Sequence, residues 1–156
     1  MDLAVAAIAL APGLALVAVS ATDLEHQIIP NRIVLPAAAV VLAAQSALHP
    51  SPQWAVGAFA ATGFLFAAAL AVPHGMGMGD VKLALLLGAM LGRTVSVAML
   101  LGLFAALVPA IVLLARHGAA ARKAKLPFGP FLAIGGVVAL FAGHDLLSAY
   151  WSLVQH

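Results

Sequence analysis

Six apolar runs follow one another along the sequence, separated by short polar segments. Because a helix needs about 20 apolar residues to cross the hydrocarbon core of a bilayer, runs of this kind predict transmembrane helices. The composition agrees, with 65% hydrophobic residues, only seven basic and five acidic side chains, and a mean hydropathy of +1.14. We therefore expect an all-α membrane protein with six transmembrane helices, forming a single domain over residues 1–156. The runs are Leu3 to Ala21, Ile33 to Leu48, Trp54 to Val72, Val81 to Leu91, Val95 to Ala115 and Phe128 to Ala142.

The composition also excludes several kinds of site. Without cysteine, the chain can form no disulfide, no thiolate nucleophile and no cysteine-based metal site. The six histidines do not follow a metal-ligand spacing, so we expect neither a metal ion nor another cofactor. A net charge of +2, scattered along the chain, is too small for a nucleic-acid surface. The N-terminal segment lacks the positively charged start of a cleavable signal peptide, which predicts a retained first helix.

The fourth run is too short to cross a bilayer by itself, since it reaches only about 16 Å across a core roughly 30 Å thick. Either it does not cross, or the glycine-rich stretch before it completes the crossing. Charge separates these alternatives, because cytoplasmic segments carry an excess of Lys and Arg. If all six runs cross, only Arg93 lies on one face, and the other face is cytoplasmic, with both termini outside. That face carries Arg32, Lys82, Arg116, Arg122, Lys123 and Lys125.

A carboxylate stands immediately before the fourth run, in the stretch GMGMGDVKL at residues 75–83. In this arrangement Asp80 lies near or inside the cytoplasmic boundary, in a cavity of the protein. One interpretation is a helix N-cap, because Asp is a preferred residue at that position and glycines can form the turn before it. The other is a functional site, because ionisable groups at membrane depth are costly and usually line functional cavities.

A second carboxylate, Asp23, follows the first run in SATDLEHQIIPNRIVLP, residues 20–36, on the same predicted face. It could be an ordinary surface carboxylate at a helix end. Two carboxylates that come close together cannot both ionise easily, so such a pair keeps one proton at neutral pH. The ionised partner can then activate water while the protonated partner donates to a peptide carbonyl oxygen. This pattern suggests an aspartyl-protease dyad of Asp23 and Asp80, which needs no metal.

At these residues the chain resembles the type IV prepilin peptidases, bacterial membrane aspartyl proteases of the GxGD kind. The resemblance is carried by Asp23 with IPN at 29–31, by GMGDVKL at 77–83, and by LPFGPFLAIG at 126–135. It implies an endopeptidase of the bacterial inner membrane that removes the short basic leader of prepilins or pseudopilins at the cytoplasmic face, with Asp23 and Asp80 catalytic. Larger members carry a cytoplasmic cysteine-quartet domain and also methylate the new N-terminus. This chain resembles a minimal form without that methyltransferase domain.

Other candidate site residues have two interpretations each. Gly77 and Gly79 either allow a substrate strand to approach closely or form a simple flexible turn. Lys82 either pairs with Asp80 or extends to the membrane interface. Pro127, Phe128 and Gly129 either contact the substrate or simply mark the break between a loop and the next helix.

Three further expectations concern partners, the C-terminus and rival functions. The basic segment at 115–125 is expected to touch anionic membrane lipid. Residues 144–156 either extend the last helix or lie along the outer surface. Two rival functions are a non-enzymatic proton-coupled membrane carrier, in which the aspartates relay protons, and a pilus-assembly partner.

Overall fold

Five α-helices form the fold in a computed structural model that describes Leu3 and residues 31–71, 77–123 and 128–155. No strand occurs within these ranges, so the all-α prediction is confirmed for them. The first predicted helix, and with it the count of six spans, lies outside the described residues. Short 3₁₀ turns at Gly92–Thr94 and Gly118–Lys123 precede and follow the fourth helix. The helices are α1 (Asn31–Leu48), α2 (Gln53–Ala71), α3 (Met78–Leu91), α4 (Val95–His117) and α5 (Gly129–Val154).

Three helical stretches are long and apolar enough to cross a membrane, as the composition requires. They are Gln53–Ala71, Met78–Ala121 and Gly129–Val154, and the second contains both α3 and α4. Their outward faces expose large apolar side chains, including Phe59, Phe104 and Phe141. Water-soluble proteins rarely expose so many large apolar side chains together. The chain is therefore a membrane protein.

The short helix α3 occupies the centre of the bundle and packs against α1, α2 and α5. Its 14 residues span about 21 Å, and side chains on all of its sides are buried. Leu83, Leu86 and Leu87 are among the largest fully buried side chains of the described part. A helix that is apolar all round belongs in the interior of a bundle, and α3 is the structural core around which the longer helices pack.

Helices that follow one another in the chain run in opposite directions. The indole N–H of Trp54 donates to the carbonyl of His49 at 3.1 Å and closes the turn between α1 and α2. Gly88 of α3 contacts Ala58 near the start of α2, so these two helices are antiparallel. The helices α4 and α5 are antiparallel as well, because Gly102 lies beside Leu132 and Thr94 beside Gly143.

One helix boundary differs from the sequence-based expectation, and the structure decides a second that the sequence left open. The helix α3 begins at Met78, because Met78 and Gly79 join the helix and do not remain in the preceding loop. The helix α5 continues to Val154, which decides between the two alternatives for residues 144–156 in favour of an extended last helix. No glycine or proline follows Gly143 in α5, so nothing in the sequence interrupts the helical hydrogen bonds there.

Glycine allows α2 and α3 to approach each other at backbone distance. A Cβ atom added to Gly57 would lie 2.8 Å from the carbonyl carbon of Gly92, and one added to Gly88 would overlap the backbone of Ala58. Gly92 itself has a φ of 55°, a conformation that L side chains rarely adopt, and the Trp54 ring packs against it. In a bilayer, such close backbone packing is a main source of attraction between helices.

We predict opposite effects of two alanine substitutions in the same helix. Gly57→Ala should lower the free energy of unfolding by about 1–3 kcal/mol, because the new methyl group overlaps the Gly92 backbone. Gly63→Ala, where no atom lies within 4 Å of the added Cβ, should raise it by up to about 1 kcal/mol through helix propensity. Thermal melting of the helical circular-dichroism signal in detergent measures both. Equal melting temperatures for the two variants would contradict this packing.

Candidate active site

Asp80 is buried in the first turn of the central helix. Its side chain is 6% exposed, whereas Arg32, Arg93 and Asp145 are exposed to solvent or lipid. Among the charged side chains that the structure describes, it is the one that is buried. Burial of a carboxylate costs free energy. The positive end of the α3 dipole offsets part of that cost.

The structure excludes the interpretation of Asp80 as the N-cap of its helix. That position belongs to Gly77, and Asp80 is the third helical residue, with its backbone N–H donating to the Gly77 carbonyl at 3.1 Å. A Cβ atom added to Gly77 would lie 3.9 Å from Oδ2 of Asp80, so the carboxylate faces the N-cap residue. The side chain of Asp80 therefore lies beside the entrance of α3, next to a residue without a side chain.

The start of α5 lies at the level of Asp80. In α3 and α5, which run parallel, Leu87 contacts Gly136, and Thr94, just past the end of α3, packs beside Gly143. The two pairs share one register, and a further step of two helical turns in that register brings Gly129 level with Asp80. Gly129 is buried as the first residue of α5, and Phe128, its N-cap, packs against the core. Phe128 and Gly129 thus lie at the same end of the bundle as the GxGD motif.

The start of α1 lies at the same end. The side chain of Gln45 donates to the Met90 carbonyl at 3.5 Å, which sets the register of α1 beside α3. Extended along both helices, that register places Leu35 level with Asp80 and the first residue of α1, Asn31, roughly 6 Å beyond it. Asp23 precedes Asn31 by eight positions in the sequence and lies outside the described residues.

Asp80 is recessed relative to the ends of the longer helices. Because α4 is antiparallel to α5 and Gly102 lies beside Leu132, the level of Asp80 falls near Ala105 of α4. From there α4 continues to His117, roughly 18 Å further along its axis. A carboxylate at the start of a short helix is thereby placed inside the bundle, below the end of its neighbour.

The structure brings most of the predicted site residues to one end of the bundle. Asp80, Gly77, Gly79, Lys82, Phe128 and Gly129 all lie there, and Lys82 is half-buried. Pro127, like Asp23, lies outside the described residues. Gly77 has an extended backbone with φ −80° and ψ 146°, which any residue adopts, so conformational freedom is not what this glycine supplies. The described residues contain no group of three His, Asp or Glu side chains that could hold a metal ion.

One polar feature was not predicted from the sequence. At the end of the bundle opposite Asp80, Arg93, His49 and His144 line a common cavity, although they come from separate segments. The signal in the sequence was the position of Arg93 as the one basic residue on the face predicted to lie opposite the cytoplasm.

Comparison with known proteins bears on residues 10–115, which match the type IV leader peptidase family. Relatives named prepilin leader peptidase/N-methyltransferase are 36% identical over 148 residues in Bacillus subtilis and 33% identical over 146 residues in Xanthomonas campestris. The alignments cover 86% of this chain and 55% and 50% of the two relatives. The chain thus spans about half the length of the relatives it matches. No solved structure matches it. By the extent of the family match, this chain belongs to the type IV leader peptidase family.

Proposed function

We propose that this chain is an aspartyl endopeptidase that cleaves the N-terminal leader from prepilin or pseudopilin precursors. The observation that carries the proposal is the burial of Asp80 in the GxGD motif, at the end of the bundle where α1 and α5 begin. Membership of the leader peptidase family supports the reaction type. The second carboxylate of the proposed dyad is Asp23, which precedes the first residue of α1 by eight positions in the sequence.

In the proposed reaction the two carboxylates share one proton. The ionised carboxylate accepts a proton from a water molecule as its oxygen attacks the carbonyl carbon of the scissile peptide, and the protonated partner donates to the carbonyl oxygen. The resulting gem-diol then loses its C–N bond as the leaving nitrogen accepts a proton from the carboxylate that took one from water, while a gem-diol hydroxyl gives its proton to the other carboxylate. Water is added across the peptide bond, and both carboxylates return to their starting state. The recessed position of Asp80 supports this chemistry, since a partly dry site strengthens the interaction between the two groups.

The same end of the bundle is proposed to face the cytoplasm. Arg32, Lys82 and Arg116 lie at the Asp80 end, and the following segment carries three further basic residues, whereas Arg93 lies at the other end. An excess of Lys and Arg is typical of cytoplasmic segments. We accordingly propose six spans in the bacterial inner membrane, with the active site on the cytoplasmic side and both termini outside.

The substrate is proposed to approach along the Gly77 side of Asp80. The N-cap position beside the Asp80 carboxylate has no side chain, which leaves room for an extended peptide backbone. Phe128 and Gly129, at the level of Asp80, are proposed to contact the same peptide from α5.

We predict that precursor cleavage requires the carboxylates of both Asp23 and Asp80. Asp23→Asn and Asp80→Asn should each lower the rate of precursor cleavage by at least about 100-fold, because general acid and base catalysis is worth about 10²–10⁴ in rate. The measurement is the mass of the N-terminal products after incubation of the purified protein with a prepilin in detergent or nanodiscs.

Asp145→Asn is the matched control, because Asp145 is an exposed carboxylate near the opposite end and should keep full activity. Cleavage that survives in either dyad variant would contradict the mechanism. Proton flux into vesicles by an active-site-intact protein that cleaves no precursor would favour the carrier instead.

A separate prediction concerns the space beside Asp80. Gly77→Ala should leave the melting temperature unchanged, because the backbone conformation suits alanine and the added Cβ makes only ordinary contacts. It should nevertheless lower kcat/KM several-fold, because the methyl group occupies the proposed path of the peptide. Gly63→Ala, which also adds a methyl group but at an exposed position where no atom lies within 4 Å of it, serves as the control. Unchanged kcat/KM in Gly77→Ala would show that the substrate does not pass this residue.

A further inference from the structure

A cavity of about 600 Å³ lies at the end of the bundle opposite Asp80. Its wall is built from the turn between α1 and α2, the end of α3, the 3₁₀ turn after it, and the C-terminal half of α5. Roughly 20 Å of α3 separates this cavity from Asp80. A volume of this size is typical of sites for small molecules and headgroups. The cavity is thus distinct from the proposed active site.

Among the described residues, the lining of this cavity carries positive charge without a matching carboxylate. Arg93 supplies a fixed charge, and His49 and His144 supply two imidazole rings. Asp145, the carboxylate that the described residues place near this end, is not part of the wall. A binding site with this charge selects an anion, and a guanidinium is suited to the planar oxygen pairs of a phosphate.

Four of the other polar side chains of the wall already donate to backbone carbonyls. Thr94 donates to the Leu91 carbonyl at 2.9 Å, and Ser148 to the Asp145 carbonyl at 2.8 Å. The indole N–H of Trp54 and the amide of Gln45 also donate to carbonyl oxygens. As far as the described residues are concerned, the side chains of this wall that remain to donate to a bound anion are those of Arg93, His49, His144, Gln53 and Trp151.

One side of the cavity is apolar and open to the surroundings of the bundle. Leu140 and Phe141 belong to the wall, and Phe141 is 82% exposed. Trp151, also in the wall, packs edge-on against Tyr150, and both are exposed. Tryptophan and tyrosine in such a position are typical of the membrane–water interface, where lipid headgroups lie. The site therefore combines an anion-binding interior with an apolar flank at headgroup depth.

From these features we infer that the cavity binds the phosphate headgroup of an anionic phospholipid, in the leaflet opposite the Asp80 end. The phosphate lies against Arg93, with His49 and His144 as further donors, and one acyl chain lies along Leu140 and Phe141. A lipid held in this way joins the α1–α2 turn, the end of α3 and α5. Soluble phosphate has the same headgroup chemistry but makes no use of the apolar flank.

The test is lipid binding to the purified protein, measured by native mass spectrometry with phosphatidylglycerol, phosphatidylcholine or inorganic phosphate as the probe. We expect phosphatidylglycerol to bind more tightly than phosphatidylcholine. Arg93→Gln should lower the affinity for phosphatidylglycerol about five-fold, the usual effect of one basic residue near an anionic lipid. Arg93→Lys should restore part of it. Because Arg93 is exposed, the fold should survive, and an unchanged melting temperature checks this.

Two matched controls separate a built site from general attraction. Arg116→Gln removes an exposed arginine at the other end and should leave the affinity unchanged. Phe141→Ser should weaken lipid binding, whereas Phe104→Ser, an exposed residue outside the cavity, should not. The inference is overturned if Arg93→Gln binds like the unmodified chain, if Arg116→Gln is equally impaired, or if inorganic phosphate displaces the lipid at millimolar concentration. Precursor cleavage is not the readout, so failure here leaves the proposed peptidase activity untouched.

Discussion

The shortness of α3 is the constraint on which the rest of the structure depends. A helix of 14 residues covers about 21 Å, so it cannot reach both ends of a bundle whose other helices are longer. Its first turn carries Asp80, and the carboxylate is consequently held inside the bundle, level with the start of α5 and well below the end of α4. Its last turn stops equally short of the end of α5, and the space left there is the cavity lined by Arg93.

The longer helices can enclose α3 because glycine lets them come close. Gly57 and Gly88 allow the backbones of α2 and α3 to touch, and Gly136 makes room for Leu87 between α3 and α5. Inside a bilayer the hydrophobic effect does not press helices together, so contacts of this kind supply much of the attraction. They also set the register of α5 on α3, which brings Phe128 and Gly129 to the level of Asp80. The packing of small residues therefore also determines which residues lie beside the proposed catalytic group.

Much of the helical architecture was predictable, because apolar runs of about 20 residues are a direct record of helices in a bilayer. The start of α3 was not, since Met78 and Gly79 look like loop residues but form the first helical turn together with Asp80. The extension of α5 to Val154 was one of two open alternatives, because His144 and Asp145 interrupt the apolar run without interrupting the helix. The GxGD motif led to the prediction that Asp80 is a functional residue, and the burial of its side chain agrees with that interpretation. The cavity around Arg93 was beyond prediction, because its wall unites segments that are distant in the sequence.

The central claim is that Asp23 lies beside Asp80, and cysteine cross-linking tests it most directly because the chain contains no cysteine of its own. In the presence of a prepilin, a short bifunctional thiol reagent should link the two cysteines of the variant that carries Asp23→Cys and Asp80→Cys. Asp23→Cys combined with Arg93→Cys, at the opposite end, should not be joined. Gln45→Cys with Met90→Cys, a pair in contact, is the positive control. If that control links but Asp23→Cys with Asp80→Cys does not, the two aspartates do not form a dyad.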